Sequence, residues 1–201
     1  MNERREFFNL AASKWDSLAT EKTIARLDRI IKQLDIKPGS VILDIGTGTG
    51  ILLPRLHNVL GNEGGIVGLD ISEKMLQRAR FKNQEDNLNY LQATAEQIPL
   101  LKETFDLAIC YASFPHFANK ARALSEIARV LKQGGRLIIC HTEDRQTINQ
   151  LHQSIGGAVK HDMIPDAAKM RLLLSSAGMV NINIQDSANS YLATAYKQYV
   201  T

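Results

Sequence analysis

The sequence predicts an α/β fold: a single doubly wound sheet of seven strands, mainly parallel, with helices on both faces. Short apolar runs alternate with amphipathic helical segments between residues 41 and 141, which is the pattern of strands joined by helical crossovers. The first run, VIL at 41–43, is entirely apolar, as expected of a strand buried on both faces of a parallel sheet. Two alternating segments near the end of the chain add a hairpin.

Two helices are expected before the first strand. Residues 3–18 form an amphipathic pattern in which a Phe-Phe pair, Leu10 and Trp15 can share one side. Residues 23–34 place isoleucines and leucines at helical spacing, and the KPGS turn that follows ends this second helix.

The central part of the chain is predicted to alternate strands with helices, which favours right-handed crossovers and a parallel sheet. The strand candidates are short apolar runs, and the helix candidates carry apolar residues every three or four positions. Strands are expected at 41–45, 66–70, 88–91, 105–111 and 136–141, and helices at about 51–60, 73–80 and 120–132.

The pattern changes in the last part of the chain. Residues 166–177 are predicted to form a helix that stops at Gly178. Residues 180–184 and 191–195 are two short alternating segments joined by the turn QDSANS, which predicts a β-hairpin. No strand or helix is predicted for the intervening residues, 145–165.

A glycine-rich loop joins the first predicted strand to the next helix. Gly46, Gly48 and Gly50 turn the chain sharply, with no Cβ to keep a ligand away from the backbone. The helix N-terminus beyond them offers free N–H groups to an electron-rich ligand. The second strand ends in Asp70, twenty residues after Gly50, where a carboxylate can accept hydrogen bonds from both hydroxyls of a ribose. Together these features predict an adenosine pocket.

Length and composition are those of an ordinary globular protein, and we expect one domain spanning 1–201. The net charge of +3 is spread among acidic residues, which favours solvated helix faces over a nucleic-acid groove. The first residues lack the apolar region of a signal peptide, and no run approaches membrane-spanning length, so we expect a cytoplasmic protein. Cys110 and Cys140 are expected to be free core residues.

The loop sequence GTGTG has Ile51 where a dinucleotide-binding fingerprint needs its third glycine. With an acid just inside the loop, it resembles motif I of the class I S-adenosylmethionine (SAM)-dependent methyltransferases. LQATAEQIPL (91–100) resembles the adenine-binding motif of that family, and FDLAICYASFPHF (105–117) its fourth strand and active-site loop. ALSEIARVLKQGGRLII (123–139) resembles the following helix, turn and fifth strand. The match covers residues 7–142 and is nearest to the type 11 small-molecule branch, which includes the ubiquinone and menaquinone C-methyltransferases.

The resemblance implies the strand order 3-2-1-4-5-7-6, with the last strand antiparallel. It also implies methyl transfer from SAM to a small-molecule acceptor by in-line displacement. A substrate lid would be formed by the N-terminal helices (1–35) and by an insertion at 145–165. Both segments are short and leave little protein to grip a macromolecule, so we expect a small-molecule substrate, no nucleic-acid partner and no membrane span. The oligomeric state and the acceptor atom are not indicated by the sequence.

The resemblance also assigns the cofactor to residues at the ends of the first four strands. Asp44, the acid before the glycine loop, would reach the methionine amine of the cofactor, and the loop backbone would lie against its methionine and ribose. The acid that ends the second strand would take the ribose hydroxyls, and the apolar side chains after it would cover the adenine or simply fill core. The residues concerned are Asp44, Gly46, Thr47, Gly48, Asp70, Ile71, Met75, Thr94, Ala95, Glu96 and Tyr111.

The adenine motif departs from the family pattern at Thr94, where relatives often carry an aspartate. The Thr94 hydroxyl can accept the same hydrogen bond from the adenine amino group, but more weakly because it is neutral. The backbone of Ala95 can still contact a ring nitrogen, whereas Glu96 can remain in solvent. Tyr111 can cap the methionine end or fill core.

His116 and His141 are the candidate acid/base residues. Each follows or ends a predicted strand, and ligands of open α/β sheets bind outside the carboxyl ends of strands. An imidazole titrates at about pH 6.5 in water, which suits proton removal from a phenol, an amine or an acidic carbon. A packing role for His116 and a supporting hydrogen-bonding role for His141 remain open.

Candidate substrate contacts are Trp15, His152 and His161. Trp15 lies in SKWD, which resembles the aromatic-Asp pair that type 11 relatives place near the mouth of the active site. The two histidines fall in the 145–165 segment. They show no HxxxH or CxxC spacing, so no metal site is predicted.

Three other functions were weighed against methyl transfer. A SAM-binding protein without turnover remains open, because binding motifs and catalysis are separable. A nucleotide-cofactor oxidoreductase is disfavoured by Ile51 and by the short lid in place of a substrate domain. A nucleic-acid amino methylase is disfavoured because SFPH (113–116) stands where such enzymes carry an Asn/Asp-Pro-Pro-aromatic motif.

Overall fold

A seven-stranded sheet forms the centre of the structure, a computed structural model that describes residues 3–199. Residues 1–2 of the predicted lid and residues 200–201 of the predicted domain lie outside the described residues. The strands are β1 (Val41–Ile45), β2 (Gly65–Asp70), β3 (Leu88–Gln92), β4 (Phe105–Tyr111), β5 (Leu131–His141), β6 (Met179–Ser187) and β7 (Ser190–Lys197). The α-helices are α1 (Glu3–Ala11), α2 (Glu21–Gln33), α3 (Leu53–Leu60), α4 (Glu73–Lys82), α5 (Lys120–Val130), α6 (Arg145–Ile155) and α7 (Ala167–Ser176).

The strand order is β3-β2-β1-β4-β5-β7-β6, as predicted. The first five strands pair in parallel, and β7 runs antiparallel to both of its neighbours. The order reverses between β1 and β4, which is the point where open α/β sheets bind their ligands.

Apolar side chains cover both faces of this sheet, as predicted for a doubly wound fold. Along β4, Ala108 packs toward α5 and α7, whereas Ile109 packs toward α2 and α3. Cys110 and Cys140 are both buried and free. Because consecutive strand residues face opposite sides, a wholly apolar strand has a core on each side.

Five of the α-helices start after a side chain that is visible in the sequence. In each case an oxygen of a Ser, Thr, Asn or Asp side chain accepts a hydrogen bond from the backbone N–H three residues later, which satisfies a donor left free at the helix end. These N-cap residues are Thr20 before α2, Ser72 before α4, Asn119 before α5, Asp144 before α6 and Asp166 before α7.

The structure differs from the sequence prediction in three places. Residues 3–18 are not one helix, because α1 ends at Ala11 and a 3₁₀ helix follows over Ala12–Leu18, where Ser17 Oγ donates to the Lys14 carbonyl oxygen. Strand β5 starts at Leu131 rather than at residue 136. Residues 145–165 contain α6, which the polar composition of this segment concealed.

His141 ends β5 and is buried, with only 2% of its surface exposed. Its ring lies 6.3 Å, centroid to centroid, from the ring of Tyr191, its partner residue on β7. The Nε2 atom has no hydrogen-bond partner among the described residues. Burial, together with the neighbouring His116 and His152, lowers the pKa of His141 to about 3.

None of the helices within residues 3–199 is both long enough and apolar enough to cross a membrane.

We predict that His141→Leu will make stability less sensitive to acid. Folded His141 titrates at about pH 3, whereas an unfolded histidine binds its proton below about pH 6.5. The native protein should therefore lose stability as the pH falls from about 6.5 toward 3, because only the unfolded chain takes up the proton. Leucine has a similar volume and no titrating group. Urea unfolding of both proteins at pH 7.5 and pH 5 measures the difference, and an equal loss in the two proteins would contradict the pKa assignment.

Candidate functional site

A cavity of about 370 Å³ lies at the carboxyl ends of β1, β2 and β4. Its walls come from the glycine loop after β1, the end of β2, the loop after β3 and the chain that follows β4. Arg4, Phe8 and Trp15 from the N-terminal segment complete it. The cavity therefore occupies the position where the strand order reverses.

The glycine loop packs directly against the ends of both neighbouring strands. The backbone N–H groups of Gly46 and Thr47 both donate to the Leu69 carbonyl oxygen, at 2.7 and 3.0 Å. Gly46 has φ +74°, and a Cβ at this position would lie 2.3 Å from Cβ of Ser113, which follows β4. A side chain at residue 46 would therefore be both strained and in collision.

Asp70, at the end of β2, is fixed by two backbone donors. Its Oδ2 accepts from the Gly48 N–H and its Oδ1 from the Ser72 N–H, each at 2.8 Å. The residue lines the cavity, and burial raises the pKa of its carboxyl. Each oxygen has a second acceptor position, so the carboxylate can still accept hydrogen bonds from a ligand.

Asp44 lies behind the glycine loop rather than on the cavity wall. It is buried and accepts a hydrogen bond from Thr47 Oγ1 at 2.6 Å. Burial, together with the neighbouring Asp70, raises the pKa of Asp44 to about 7. A cation in the cavity could favour its charged form only through the loop or through water.

Apolar side chains form part of the cavity wall. Ile71 and Met75 line it from the start of α4, and Thr94 and Ala95 line it from the loop after β3. Glu96 also lines the cavity, but its Oε1 accepts from the Asn119 N–H at 3.1 Å. Glu96 therefore connects this loop to the start of α5 instead of remaining in solvent.

The chain turns abruptly at the end of β4. Tyr111 lines the cavity, and burial raises the pKa of its hydroxyl. Ala112 follows with φ +52°, a left-handed conformation that is uncommon without glycine. This turn places Ser113 against the glycine loop, where its Oγ donates to the Ile45 carbonyl oxygen. Strained residues of this kind occur often at functional sites.

His116 lines the cavity and is held by a buried carboxylate. Its Nδ1 lies 2.8 Å from Oδ2 of Asp162, and Arg4 from α1 donates to both oxygens of the same carboxylate. Asp162 is 1% exposed. Its pKa stays at about 2 despite burial, because His116 and Arg4 both favour its charged form.

Aromatic rings from the N-terminal segment cover this part of the cavity. The Phe8 ring packs edge-on against His116 at 5.0 Å and against Trp15 at 5.6 Å, centroid to centroid. Asp16 accepts hydrogen bonds from Thr49 of the glycine loop and from Lys82 of α4. These contacts hold residues 3–18 over the cavity.

Besides Asp44, three predicted site residues do not line the cavity. His141 is buried beside Tyr191 and does not reach it. His152 is also buried, with its Nδ1 bonded to the Asp162 carbonyl oxygen, and its ring lies 4.7 Å from that of His116. His161 is exposed. The prediction that His141 and His116 share one crevice is wrong in this structure, because only His116 lines the cavity and the ring of His141 is buried beside that of Tyr191.

Sequence reasoning missed Arg4 and Asp162. Arg4 lies in a charged run, NERRE, in which any member could have been solvent-exposed. Asp162 lies in a segment with no predicted element, 158 residues from Arg4. Among residues 3–199 no group of histidines, cysteines and acids could hold a metal ion.

Comparison with known proteins agrees with this geometry. A family model described as a methyltransferase domain matches residues 43–139. The ubiquinone/menaquinone biosynthesis C-methyltransferase of Wigglesworthia glossinidia brevipalpis is 36% identical over 143 residues, which are 67% of this chain and 57% of that protein. The protein of the same name from Pectobacterium atrosepticum is 30% identical over 210 residues, covering 89% of this chain and 83% of that protein.

A SAM-dependent methyltransferase from Aquifex aeolicus has the same fold, with a TM-score of 0.75 at 23% identity over 92% of this chain and 97% of that chain. In several sequence matches the chain spans only 55% to 57% of the length of the relative. The Pectobacterium protein, in contrast, is matched over most of its length. The chain therefore belongs to the class I S-adenosylmethionine-dependent methyltransferase family, and its cofactor is S-adenosylmethionine.

Proposed function

We propose that this protein transfers the methyl group of SAM to a small-molecule acceptor. The observation that carries the proposal is that one cavity joins a fixed carboxylate, Asp70, to an imidazole, His116. Asp70 suits the ribose hydroxyls of the cofactor, and His116 suits the removal of a proton from an acceptor. The names of the sequence relatives specify C-methyl transfer in ubiquinone and menaquinone biosynthesis, which favours a carbon acceptor.

The residues of the cavity fit the cofactor in three ways. The loop 46–49 has no side chain at Gly48, so a ligand can lie against its backbone there. Asp70 is already oriented by backbone N–H groups, so little rotamer entropy is lost when it binds a hydroxyl. Ile71 and Met75 supply an apolar surface for the adenine.

Catalysis by this chain would consist mainly of alignment and exclusion of water. When bound, SAM supplies an electrophilic methyl group and leaves as the neutral thioether S-adenosylhomocysteine. Phe8 and Trp15 cover the cavity and keep water from it. His116 would accept a proton from the acceptor.

We further propose that residues 1–35 and 145–165 act as the lid of a single domain spanning 1–201. Support comes from Phe8 and Trp15, which line the cavity, and from Asp162, which contacts His116. A cytoplasmic location and the absence of a nucleic-acid partner belong to this proposal and rest on the composition of the sequence. A SAM-binding protein without turnover would have no use for an imidazole held by a carboxylate at the cavity wall.

We expect the protein to produce S-adenosylhomocysteine when SAM is supplied with a mixed panel of phenols, thiols, amines and quinol precursors. The pool that responds identifies the acceptor class, because each pool carries one kind of acceptor atom. Release of S-adenosylhomocysteine is followed by mass spectrometry, with His116→Gln as the matched control. SAM binding without turnover in any pool would contradict catalysis on these acceptors and favour a binding protein.

Asp70→Ala should weaken binding of SAM and of S-adenosylhomocysteine by roughly 1.5–3 kcal/mol, the scale for losing charge-assisted hydrogen bonds. The native protein should bind both in preference to NAD or NADP. Isothermal calorimetry measures all four ligands. Unchanged affinity in the variant would show that Asp70 does not hold the ribose, and NAD binding without SAM binding would end the methyltransferase interpretation.

Removal of residues 1–18 should leave a folded protein that has lost most of its turnover, because water enters the cavity and the acceptor is poorly aligned. Thermal unfolding checks the fold, and turnover with the responding pool checks activity. In the full chain the fluorescence of Trp15, the single tryptophan, should change when SAM binds. A truncated protein that turns over normally would contradict the lid proposal.

A further inference from the structure

His116 is joined to both predicted lid segments through one buried carboxylate. We propose that Asp162 is a positioning residue which holds the proton of neutral His116 on Nδ1, and that Arg4 latches the two lid segments over this pair. The acceptor is then one that must lose a proton during methylation. This inference rests on the proposed function.

The hydrogen-bonding capacity of Asp162 determines where the proton of His116 lies. Asp162 is ionised, since its pKa is about 2. An ionised carboxylate can only accept hydrogen bonds, so Nδ1 of His116, 2.8 Å away, must be the donor. In the neutral ring Nε2 is then left without a proton and can accept one.

The backbone around Asp162 holds this carboxylate in place. The Asp162 N–H donates to the Val159 carbonyl oxygen at 3.0 Å, and the Asp162 carbonyl oxygen is bonded to Nδ1 of His152 from α6. Nearby, Asn149 of α6 exchanges two hydrogen bonds with the backbone of Ile164, at 2.8 and 3.1 Å. Because the backbone of Asp162 and of Ile164 is tied to α6, the main chain that carries the Asp162 carboxylate is fixed beside His116.

Other titratable and charged groups also surround His116 and Asp162, and these groups contribute to any change of the pair with pH. They come from β2, β5, α6, α1, α5 and the loop after β3. The groups are Asp70, His141, His152, Arg4, Lys120 and Glu96.

Arg4 makes the contact between His116 and Asp162 depend on closure of the lid. It reaches from α1 to Asp162, so the two lid segments meet at this ion pair. The Arg4 side chain is 32% exposed, whereas that of Asp162 is 1% exposed, so α1 covers the carboxylate. If α1 moved away, water would reach Asp162 and weaken its interaction with His116. An open lid would therefore leave the base poorly oriented.

The reaction balances if the acceptor atom carries a hydrogen. The acceptor gives its proton to Nε2 of His116, and the electron pair that it keeps forms the bond to the methyl carbon. The electron pair of the broken carbon–sulfur bond stays on sulfur. An acidic carbon, a phenol or a protonated amine fits this scheme, whereas an acceptor that is already a thiolate does not need the base.

The proton position can be measured without knowing the acceptor. Long-range ¹H–¹⁵N correlation spectra of ¹⁵N-histidine-labelled protein, loaded with S-adenosylhomocysteine, distinguish the two neutral tautomers. The His116 signals are assigned by their loss in His116→Gln. We expect Nδ1–H in the native protein and a change to Nε2–H in Asp162→Asn, because the amide can donate to Nδ1. Nε2–H in the native protein, or an unchanged tautomer in the variant, would overturn the proposal.

A matched pair of variants on α1 tests the latch. Arg4→Gln should speed amide exchange both in α1 and in residues 157–162. Arg5→Gln, which removes the neighbouring ion pair to Glu73, should not affect residues 157–162. Equal effects of both variants on residues 157–162 would show general loosening of α1 and contradict a specific latch.

A double-mutant cycle distinguishes a role of Asp162 in positioning His116 from a role in stability alone. With the responding acceptor pool, Asp162→Asn should lower kcat at least tenfold and shift the acid limb of its pH profile. It should have no further effect in the His116→Gln background, because Asp162 acts through His116. Additive losses would indicate a structural role and overturn the proposal. Absence of turnover in the native protein would instead refute the proposed function, while the tautomer spectra would still test the pair.

Discussion

The close packing of the glycine loop against the ends of two strands is the constraint on which the site depends. Gly46 has no room for a Cβ beside Ser113, and its N–H donates to the carbonyl oxygen that precedes Asp70. The loop is therefore fixed to β2 and to the chain after β4 at the same time. This contact places Asp70 and the turn that carries His116 on one cavity. A larger residue at position 46 would collide with Ser113 and separate the parts of the site.

The buried acids of this protein fall into two kinds that differ in their electrostatics. Asp44 and Asp70 are surrounded by few opposing charges, so burial raises their pKa. Asp162 is as buried as Asp44, yet an arginine and a histidine lower its pKa to about 2. The first kind can respond to a cation or a hydroxyl that enters the cavity. The second kind, Asp162, is charged before a ligand binds and is suited to orienting a neighbouring side chain.

The N-terminal segment that lines the cavity and the segment around Asp162 gain their order from contacts with other parts of the chain. Residues 3–18 contribute only one buried residue, Ala12, and are held by polar contacts such as those of Asp16. The segment around Asp162 is tied to α6 and to Arg4. With so little buried apolar surface, residues 3–18 open more easily than the sheet beneath them. A cover of this kind can admit a small acceptor and then exclude water.

Local features of the sequence determined the fold and the proposed cofactor half of the site. Alternating apolar runs predicted the strands, and the family resemblance implied their order. The glycine loop and Asp70 lie close together because both follow from strand ends, which share one edge of a parallel sheet. The acid/base half was decided by tertiary structure. His116 follows β4 and His141 ends β5, but His141 is buried beside Tyr191, while Asp162, which Arg4 also contacts, holds His116 at the cavity. Arg4 and Asp162 are 158 residues apart, and no periodic pattern encodes a pairing between two irregularly placed charges on separate segments.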